Sequence, residues 1–329
     1  MNTLAPVLQT FFTDKLVRQR QASGHTISAY RDAVKLLLVF AAERTGKSPS
    51  RLDIADLDAP LIGAFLHHLE TDRGNGVRTR NARLAAIHSL FRHAALRRPE
   101  DAAVIARVLA IPPKRFDRTL VTYLTEEEIT ALLDACDQGT WTGRRDRALL
   151  MLACQTGLRA SELTGLTVGD VHLGVGPHIS CLGKGRKKRI TPLAVSTVAT
   201  LKNWMNERGG LPADPLFPTR RGGALSRDGL ERRTSKHAAT AADSCPSLIG
   251  KKVSPHVMRH SAAMRLLHAG VDTAVIALWL GHENVATTQI YIHADLALKE
   301  KALARTAPQD AAPGRYQPSD TVLAFLDGL

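Results

Sequence analysis

The sequence is poor in aromatic residues and in cysteine. Aromatic side chains make up 5% of the 329 residues, whereas hydrophobic residues make up 44%. The core is therefore built mainly from Leu, Ala, Val and Ile, a composition that favours helices. The four cysteines are scattered without metal-ligand or disulfide spacing, at Cys136, Cys154, Cys181 and Cys245. This usage excludes a disulfide scaffold and predicts a reducing, cytoplasmic location.

Long apolar runs are also missing, and acidic residues are outnumbered. No stretch has the length and apolarity of a membrane span, and residues 1–13 lack the basic start and apolar block of a signal peptide. The 44 basic against 31 acidic residues give a formal charge of +13. A chain this basic most simply binds nucleic acid, and an anionic membrane surface is the second possibility.

The first third of the chain has helical patterns only. Apolar spacing predicts helices over residues 4–22, from 26 or 28 to 42, over 54–69, and from about 79 to 96. Two prolines at 112–113 stop the helical pattern and extend the chain, which is typical of a linker. Thr125 and Glu128 then form a capping box that opens a second domain. The predicted domains are 1–111, a linker 112–118, 119–306, and a C-terminal tether and helix 307–329.

One sheet signal interrupts the helices of the second domain. Residues 178–182 alternate in polarity, Gly183 to Gly185 form a turn, and residues 189–193 return. The predicted fold class is therefore mainly α, with an N-terminal helical bundle followed by a mixed α+β domain that contains a small antiparallel β-hairpin.

Three basic stretches are predicted to contact DNA. A basic, Asn-containing helix start can lie in a groove, and basic residues after the prolines can follow a phosphate backbone. The hairpin loop, residues 184–189, has five cations in six positions. The predicted contacts are Arg78, Arg80, Asn81, Arg83, Lys114, Arg115, Arg186, Lys187 and Lys188. The alternative for each stretch is an ordinary solvated surface.

A phosphate site is predicted near residue 256. Ser254 is a good N-cap and Pro255 suits the first helical position. His256 and Arg259 then share one face of the helix near its positive end. A guanidinium, an imidazole and a helix N-terminus that face one point are typical of phosphate binding. Tyr291 would supply a nucleophile to this site.

Two alternatives bear on these residues. A single histidine on an amphipathic helix is usually structural, so only the joint pattern is informative. His256 and His260 are four apart and could pair on a metal, but the zinc-protease helix has Glu directly after its first His, where this chain has Val257. Upstream, Arg159 follows a tight break between two helices, and Glu162 is the partner expected to hold it.

Together, the motifs resemble those of the tyrosine recombinases, also called the phage integrase family. In chain order they are Gly157-Leu158-Arg159-Ala160-Ser161-Glu162-Leu163, Gly183-Lys184-Gly185, His256-x-x-Arg259-His260, Leu280-Gly281-His282 and Thr287-Thr288-x-x-Tyr291-x-His293. The match is most similar to Xer-like and transposon-borne members and covers about residues 119–295. Met258 replaces a more usual Leu. The N-terminal helices look like the family's core-binding, SAM-like domain.

The resemblance implies a catalytic role for six residues. Tyr291 would attack the scissile phosphate, Arg159 and Arg259 would bind its oxygens, and Lys184 would protonate the leaving 5′-oxygen. His256 would handle the tyrosine proton, and His282 would bond the phosphate. Glu162 and His260 would orient these groups. Neither metal nor ATP is implied, and no Walker motif is present.

The resemblance also implies a partner and an assembly. The partner is double-stranded DNA with inverted half-sites. Two duplexes would be bound by a homo-tetramer, or by an assembly with a paired recombinase. No membrane partner is implied. Three alternatives stay open: a type IB topoisomerase-like enzyme with the same chemistry, a catalytically idle DNA-binding regulator, and a metal nuclease.

Overall fold

The computed structural model describes residues 3–116, 121–183 and 188–282, together with Thr288. It divides the chain into two compact units, Met1–Arg118 and Thr119–Leu329. Several predictions lie outside the described residues. They concern Lys184, Arg186, Lys187, Tyr291, a short helix over 284–292, and the C-terminal tether and helix 307–329.

The first unit is built from helices alone within its described part. The first helix, α1 Ala5–Thr10, continues directly into a π-helix, Phe11–Gln19, and the other helices follow after short connections. Their bounds are α1 Ala5–Thr10, α2 Gly24–Thr45, α3 Ala59–Thr71, α4 Val77–Ala95 and α5 Ala102–Leu109. The apolar face predicted for α4 is buried: Leu84, Ile87, Leu90 and Phe91 are at most 1% exposed.

Local capping explains where these helices differ from the predicted ones. The side chain of Ser23 caps α2, so this helix begins at Gly24, before the predicted start. Asp58 caps α3, which leaves Ile54–Asp56 as a separate 3₁₀ turn. Helix α5 was not predicted, because its eight residues give too short a periodic pattern.

The start of the linker is fastened to α4. The amide nitrogen of Asn81 donates to the carbonyl oxygen of Lys114 at 2.8 Å, and the Lys114 backbone N–H donates back to Asn81 Oδ1 at 3.1 Å. Arg80 donates to the carbonyl of Pro112 at 3.3 Å, and Lys114 Nζ pairs with Glu70 at 2.7 Å. Residues 112–114 are therefore packed as part of the first unit.

The second unit combines helices with one small sheet. Its described helices are α6 Glu126–Asp134, α7 Trp141–Thr156, α8 Ala160–Gly165, α9 Val195–Arg208, α10 Arg227–Ala241, α11 Pro255–His268 and α12 Thr273–Leu280. The strands are β1 Val171–His172, β2 His178–Leu182 and β3 Lys188–Pro192. They form an antiparallel sheet in the order β1-β2-β3, with Cys181 opposite Arg189.

The prediction of a mainly helical chain with a small antiparallel sheet is confirmed. The predicted hairpin returns at Lys188, and β1 adds a strand that the sequence did not reveal because it spans only two residues. The capping box of Thr125 and Glu128 is present at the start of α6. Within the described residues, no helix has both the length and the apolarity needed to cross a bilayer.

A buried charge cluster joins α7 to α10 in the second unit. Arg145 and Asp146 are 0% and 1% exposed, and the guanidinium donates twice to one carboxylate oxygen, at 2.6 and 3.0 Å. His237 and Arg233 of α10 reach the other oxygen at 2.9 and 3.1 Å. Burial acts to raise the pKa of Asp146, but these bonds outweigh it, so the net pKa is lowered and the carboxylate stays charged.

Candidate active site

The N-terminus of α11 places two of the predicted residues. Ser254 caps the helix by accepting from the Val257 backbone N–H, and Pro255 occupies the first turn, as predicted. His256 and Arg259, three residues apart, both line the same cavity. The predicted helix start and the shared face are therefore confirmed.

Arg259 is held by the ends of two other helices. Its Nη1 donates to the carbonyl oxygen of Gly157 at 2.6 Å, and its Nη2 donates to that of Leu280 at 2.7 Å. Gly157 follows the last residue of α7, and Leu280 is the last residue of α12. These carbonyls carry the negative ends of the helix dipoles. Backbone carbonyls thus neutralise in part the charge of Arg259, a residue that is only 4% exposed.

Arg159 is held by Glu162, as the sequence predicts. Its Nη1 lies 2.8 Å from Glu162 Oε1, and its backbone N–H donates to Oε2 at 2.7 Å. The Nη2 nitrogen donates to the carbonyl of Gly281 at 2.9 Å. With 30% of its side chain exposed, Arg159 is reachable from the cavity while two side-chain bonds fix the direction of its guanidinium.

Arg189 of β3 is the residue that sequence reasoning missed. Its Nη1 and Nη2 donate to the two oxygens of Glu162 at 3.1 and 2.9 Å, so Glu162 lies between two arginines. Burial acts to raise the pKa of Glu162, but the bonds from Arg189 and Arg159 outweigh it, and its net pKa is lowered. The sequence pattern groups Arg189 with the other cations of the hairpin loop as a DNA-binding stretch, so it does not show that Arg189 points inward.

The cavity beside these arginines has a volume of about 470 Å³. Arg159, Arg259, His256 and the capped start of α11 lie on its wall. Helix α10 adds one cation and two carboxylates to the lining, Arg227, Asp228 and Glu231. A cavity lined by guanidinium groups and a helix N-terminus suits an anion the size of a phosphate diester.

Three histidines near the arginines have lowered pKa values. Burial, and then the charge of Arg259, lower the pKa of His256. Burial lowers the pKa of His260 to about 4, with further contributions from His256, Arg259 and His282. The rings of His256 and His260 pack edge to face with centroids 4.2 Å apart. Neutral imidazoles at pH 7 can accept a proton, which a histidine that is already charged cannot.

His282 follows the left-handed residue that ends α12. Burial lowers its pKa to about 4, and the charges of Arg259, Arg159 and Arg189 contribute. Its Nδ1 lies 2.8 Å from the hydroxyl of Thr288, which is fully buried. This bond fixes the ring's orientation beside the two arginines.

The predicted DNA contacts occupy different environments. Arg80 is 6% exposed, and both Arg80 and Asn81 bond to the linker backbone, so DNA contact by either stays a prediction. Arg78 stacks over the Phe116 ring at 5.0 Å. Burial lowers the pKa of the half-buried Arg83. The remaining predicted residues with a described position are solvent-exposed: Lys114, Arg115 and Lys188.

Family models match both units. Residues 122–297 match the model described as the phage integrase family. Residues 10–98 match the phage integrase N-terminal SAM-like domain. The two matches together span most of the chain in the order that the sequence motifs imply.

Relatives and solved structures agree with these matches. "Putative integrase/recombinase y4rC" of Sinorhizobium fredii is 55% identical over 99% of this chain and 98% of its own length. Tyrosine recombinase XerC of Pelobacter propionicus is 32% identical over 91% of this chain and 94% of its own. The structure of the Tn1549 transposon integrase in complex with transposon right end DNA has the same fold, with a TM-score of 0.68 at 18% identity. It covers 92% of this chain and 99% of that one.

The chain therefore belongs to the phage integrase family of tyrosine recombinases. It is a site-specific recombinase that resembles the Xer proteins along most of its length. The resemblance predicted from the motifs is confirmed, including the SAM-like character of the N-terminal unit.

Proposed function

We propose that the protein cuts and rejoins DNA through a 3′-phosphotyrosyl intermediate. The observation that carries the proposal is that Arg159, Arg259 and His256 line one cavity, with His282 beside them. Two guanidinium groups can bind the non-bridging oxygens of one phosphate, whose negative charge grows as a fifth oxygen approaches. By analogy with oxyanion holes, each donor group contributes roughly 3 kcal/mol of transition-state stabilisation.

In the proposed cleavage step, the Tyr291 oxygen attacks phosphorus and the bond from phosphorus to the 5′-oxygen breaks. The phenol proton passes to His256, which burial keeps neutral and able to accept it. Lys184 gives a proton to the leaving 5′-oxygen. Religation reverses each transfer, with a 5′-hydroxyl as the attacking group.

His282 has a matching role as a hydrogen-bond donor. We infer that the Thr288 hydroxyl donates to Nδ1 of His282, which leaves the hydrogen of the neutral ring on Nε2. That N–H would donate to a phosphate oxygen. The positive charges of Arg159, Arg259 and Lys184 then do the work that metal ions do in nucleases, so the proposed reaction needs no metal. Cleavage exchanges the DNA phosphodiester for a phosphotyrosyl diester of similar energy, so the proposed reaction needs no ATP.

The proposed partner is double-stranded DNA with inverted half-sites. The formal charge of +13 supports this, as do similar solved structures that contain DNA, such as those of the XerH recombinase and the Tn1549 integrase. One cut per protomer at two half-sites implies a tetramer on two duplexes, made of this chain alone or with a paired recombinase. Action on cellular DNA implies a cytoplasmic location.

A suicide-substrate assay tests the proposal. Nicked DNA that carries the candidate site, taken from the sequences flanking the gene, is incubated with the wild type and with Tyr291→Phe in EDTA. We expect a covalent protein–DNA band with the wild type only. A band that survives Tyr291→Phe would assign the nucleophile elsewhere, and Tyr316 would be tested next.

Other outcomes separate the remaining candidates. Binding without any covalent band would favour a catalytically idle DNA-binding regulator. Covalent chemistry and supercoil relaxation without synapsis of two sites would favour a type IB topoisomerase-like enzyme. Loss of cleavage in EDTA alone would favour a metal nuclease.

A further inference from the structure

We propose that Arg189 is a positioning residue that aims Arg159 at the phosphate through Glu162. The inference rests on the proposed function, because it takes Arg159 to bind the scissile phosphate. Arg189 itself lies behind Glu162 and does not line the described cavity. Its effect on the reaction is therefore indirect, through the side chain that it holds.

The hydrogen bonds of Glu162 show how this works. A carboxylate offers about four lone-pair positions on its two oxygens. In Glu162, Oε1 accepts from Nη1 of Arg159 and Nη1 of Arg189. The other oxygen, Oε2, accepts from the Arg159 backbone N–H and from Nη2 of Arg189. All four positions are filled, so Glu162 has one orientation, and half of the bonds that fix it come from Arg189.

Burial makes that dependence strong. The side chain of Glu162 is 4% exposed and that of Arg189 is 11% exposed, so water does not readily replace a lost donor. Without Arg189, a buried carboxylate would keep only the two donors of Arg159. We expect the Arg159 guanidinium then to move toward Glu162 and away from the cavity, since an unpaired buried charge is costly.

A second contact supports the same role. The carbonyl oxygen of Gly281 accepts from Arg159 Nη2, and the Cα of Gly281 packs against Arg189. A Cβ on Gly281 would lie 2.7 Å from Arg189 Nη1, which is closer than side chains approach. Arg189 thus contacts both groups that hold Arg159, namely the carboxylate of Glu162 and the backbone of Gly281.

The sheet aims Arg189 at these groups. In the register of β2 and β3, Arg189 pairs with the buried residue Cys181. Its neighbours on the strand, Lys188 and Ile190, are exposed, as alternation along a strand requires. Of the two described cations in the hairpin stretch 184–189, Arg189 therefore points inward and Lys188 faces solvent.

Single-turnover cleavage of the suicide substrate tests the inference. We expect Arg189→Met to slow covalent-complex formation by about tenfold to a hundredfold, the effect typical of a misplaced group. Affinity for the uncleaved site should change by less than about threefold, because Arg189 does not face solvent. Arg189→Lys should restore part of the rate, since it keeps the charge but lacks the planar fork.

Arg144→Met is the matched control. Arg144 also makes a two-bond pair with a glutamate, Glu207, in the same unit. It lies near the start of α7, whereas Arg159 follows the end of that helix, and it is more exposed than Arg189. This variant should cleave at the wild-type rate. Tryptophan fluorescence during urea unfolding checks the fold, because all three tryptophans lie in the second unit. If Arg189→Met does not fold, Arg189→Lys carries the test.

A double-mutant cycle separates positioning from general damage. If Arg189 acts through Arg159, Arg189→Met should slow Arg159→Lys much less than it slows the wild type. Arg144→Met should change neither background. Wild-type cleavage by Arg189→Met, or equal slowing in both backgrounds, would overturn the inference and leave the proposed function intact. The absence of a covalent band with the wild type would instead overturn the proposed function, and this inference with it.

Discussion

The Nη1 nitrogen of Arg259 lies 2.6 Å from the carbonyl oxygen of Gly157. Gly157 ends α7 in the left-handed conformation with φ 64°, as the sequence predicts for a C-cap glycine. Its Cα faces α11 and α12, where an added Cβ would lie 2.7 Å from Leu280 and 3.1 Å from Ala262. The position of a predicted catalytic arginine thus depends on a residue with no side chain.

Gly157→Ala should destabilise the second unit and slow cleavage together. The left-handed conformation costs an L-residue about 1–2 kcal/mol, and overpacking adds about 1–3 kcal/mol. Urea unfolding followed by tryptophan fluorescence measures the free energy, and the suicide substrate measures cleavage. Gly270→Ala is the control, because Gly270 has φ 80° but open space around it. Equal losses in the two variants would contradict a packing role for Gly157.

Acidification should destabilise the second unit before its buried carboxylates are protonated. The pKa values of His260 and His282 are about 4 in the folded protein, against an ordinary value of 6.5. Between these values the unfolded chain binds more protons than the folded one, so stability is full above pH 6.5 and falls toward pH 4. Urea unfolding at steps from pH 7.5 to 4.5 measures the slope.

The slope assigns the effect to individual residues. His260→Asn should flatten it, because one group no longer gains a proton on unfolding. A slope that His260→Asn does not alter would mean that His260 is not protonated differently in the two states.

Asn81→Ala should release the start of the linker. The change removes both hydrogen bonds between Asn81 and the Lys114 backbone. Trypsin cleaves after Lys114 and Arg115, so we expect faster cleavage there in limited proteolysis read by mass spectrometry. Thr79→Ala, at an exposed position of the same helix, should not change the rate. Unchanged proteolysis of Asn81→Ala would show that Arg80 and Glu70 suffice to hold the segment.

Asp146→Asn should be far more damaging than loss of a surface ion pair. It leaves the guanidinium of Arg145, which is 0% exposed, without its counter-charge. Breaking a buried pair on one side costs about 3–5 kcal/mol, whereas a surface pair such as Arg144 with Glu207 is screened by solvent and contributes little to stability. Urea unfolding of Asp146→Asn and Arg144→Met compares the two. A small loss for Asp146→Asn would show that Arg145 finds another partner.

Local signals predicted the parts of the site that depend on neighbours in the chain. The cap at Ser254, the left-handed Gly157 and the pairing of Arg159 with Glu162 each involve residues within four positions, and the structure confirms them. Arg189 could not be found this way, because its contact with Glu162 spans 27 residues. Only the strand register shows that it points inward. The same limit hid the bond of Asn81 to the linker, 33 residues away.

Two predicted site residues, Arg159 and Arg259, donate to backbone carbonyls at the ends of helices, namely those of Gly281, Gly157 and Leu280. For protein design, this means that the centre cannot be transferred to another scaffold as a set of side chains. A graft must also supply the C-terminal ends of two helices, each followed by a left-handed glycine, at the right distance from a third helix N-terminus. The smallest portable unit is the meeting point of α7, α11 and α12 together with Glu162 of α8 and Arg189 of β3.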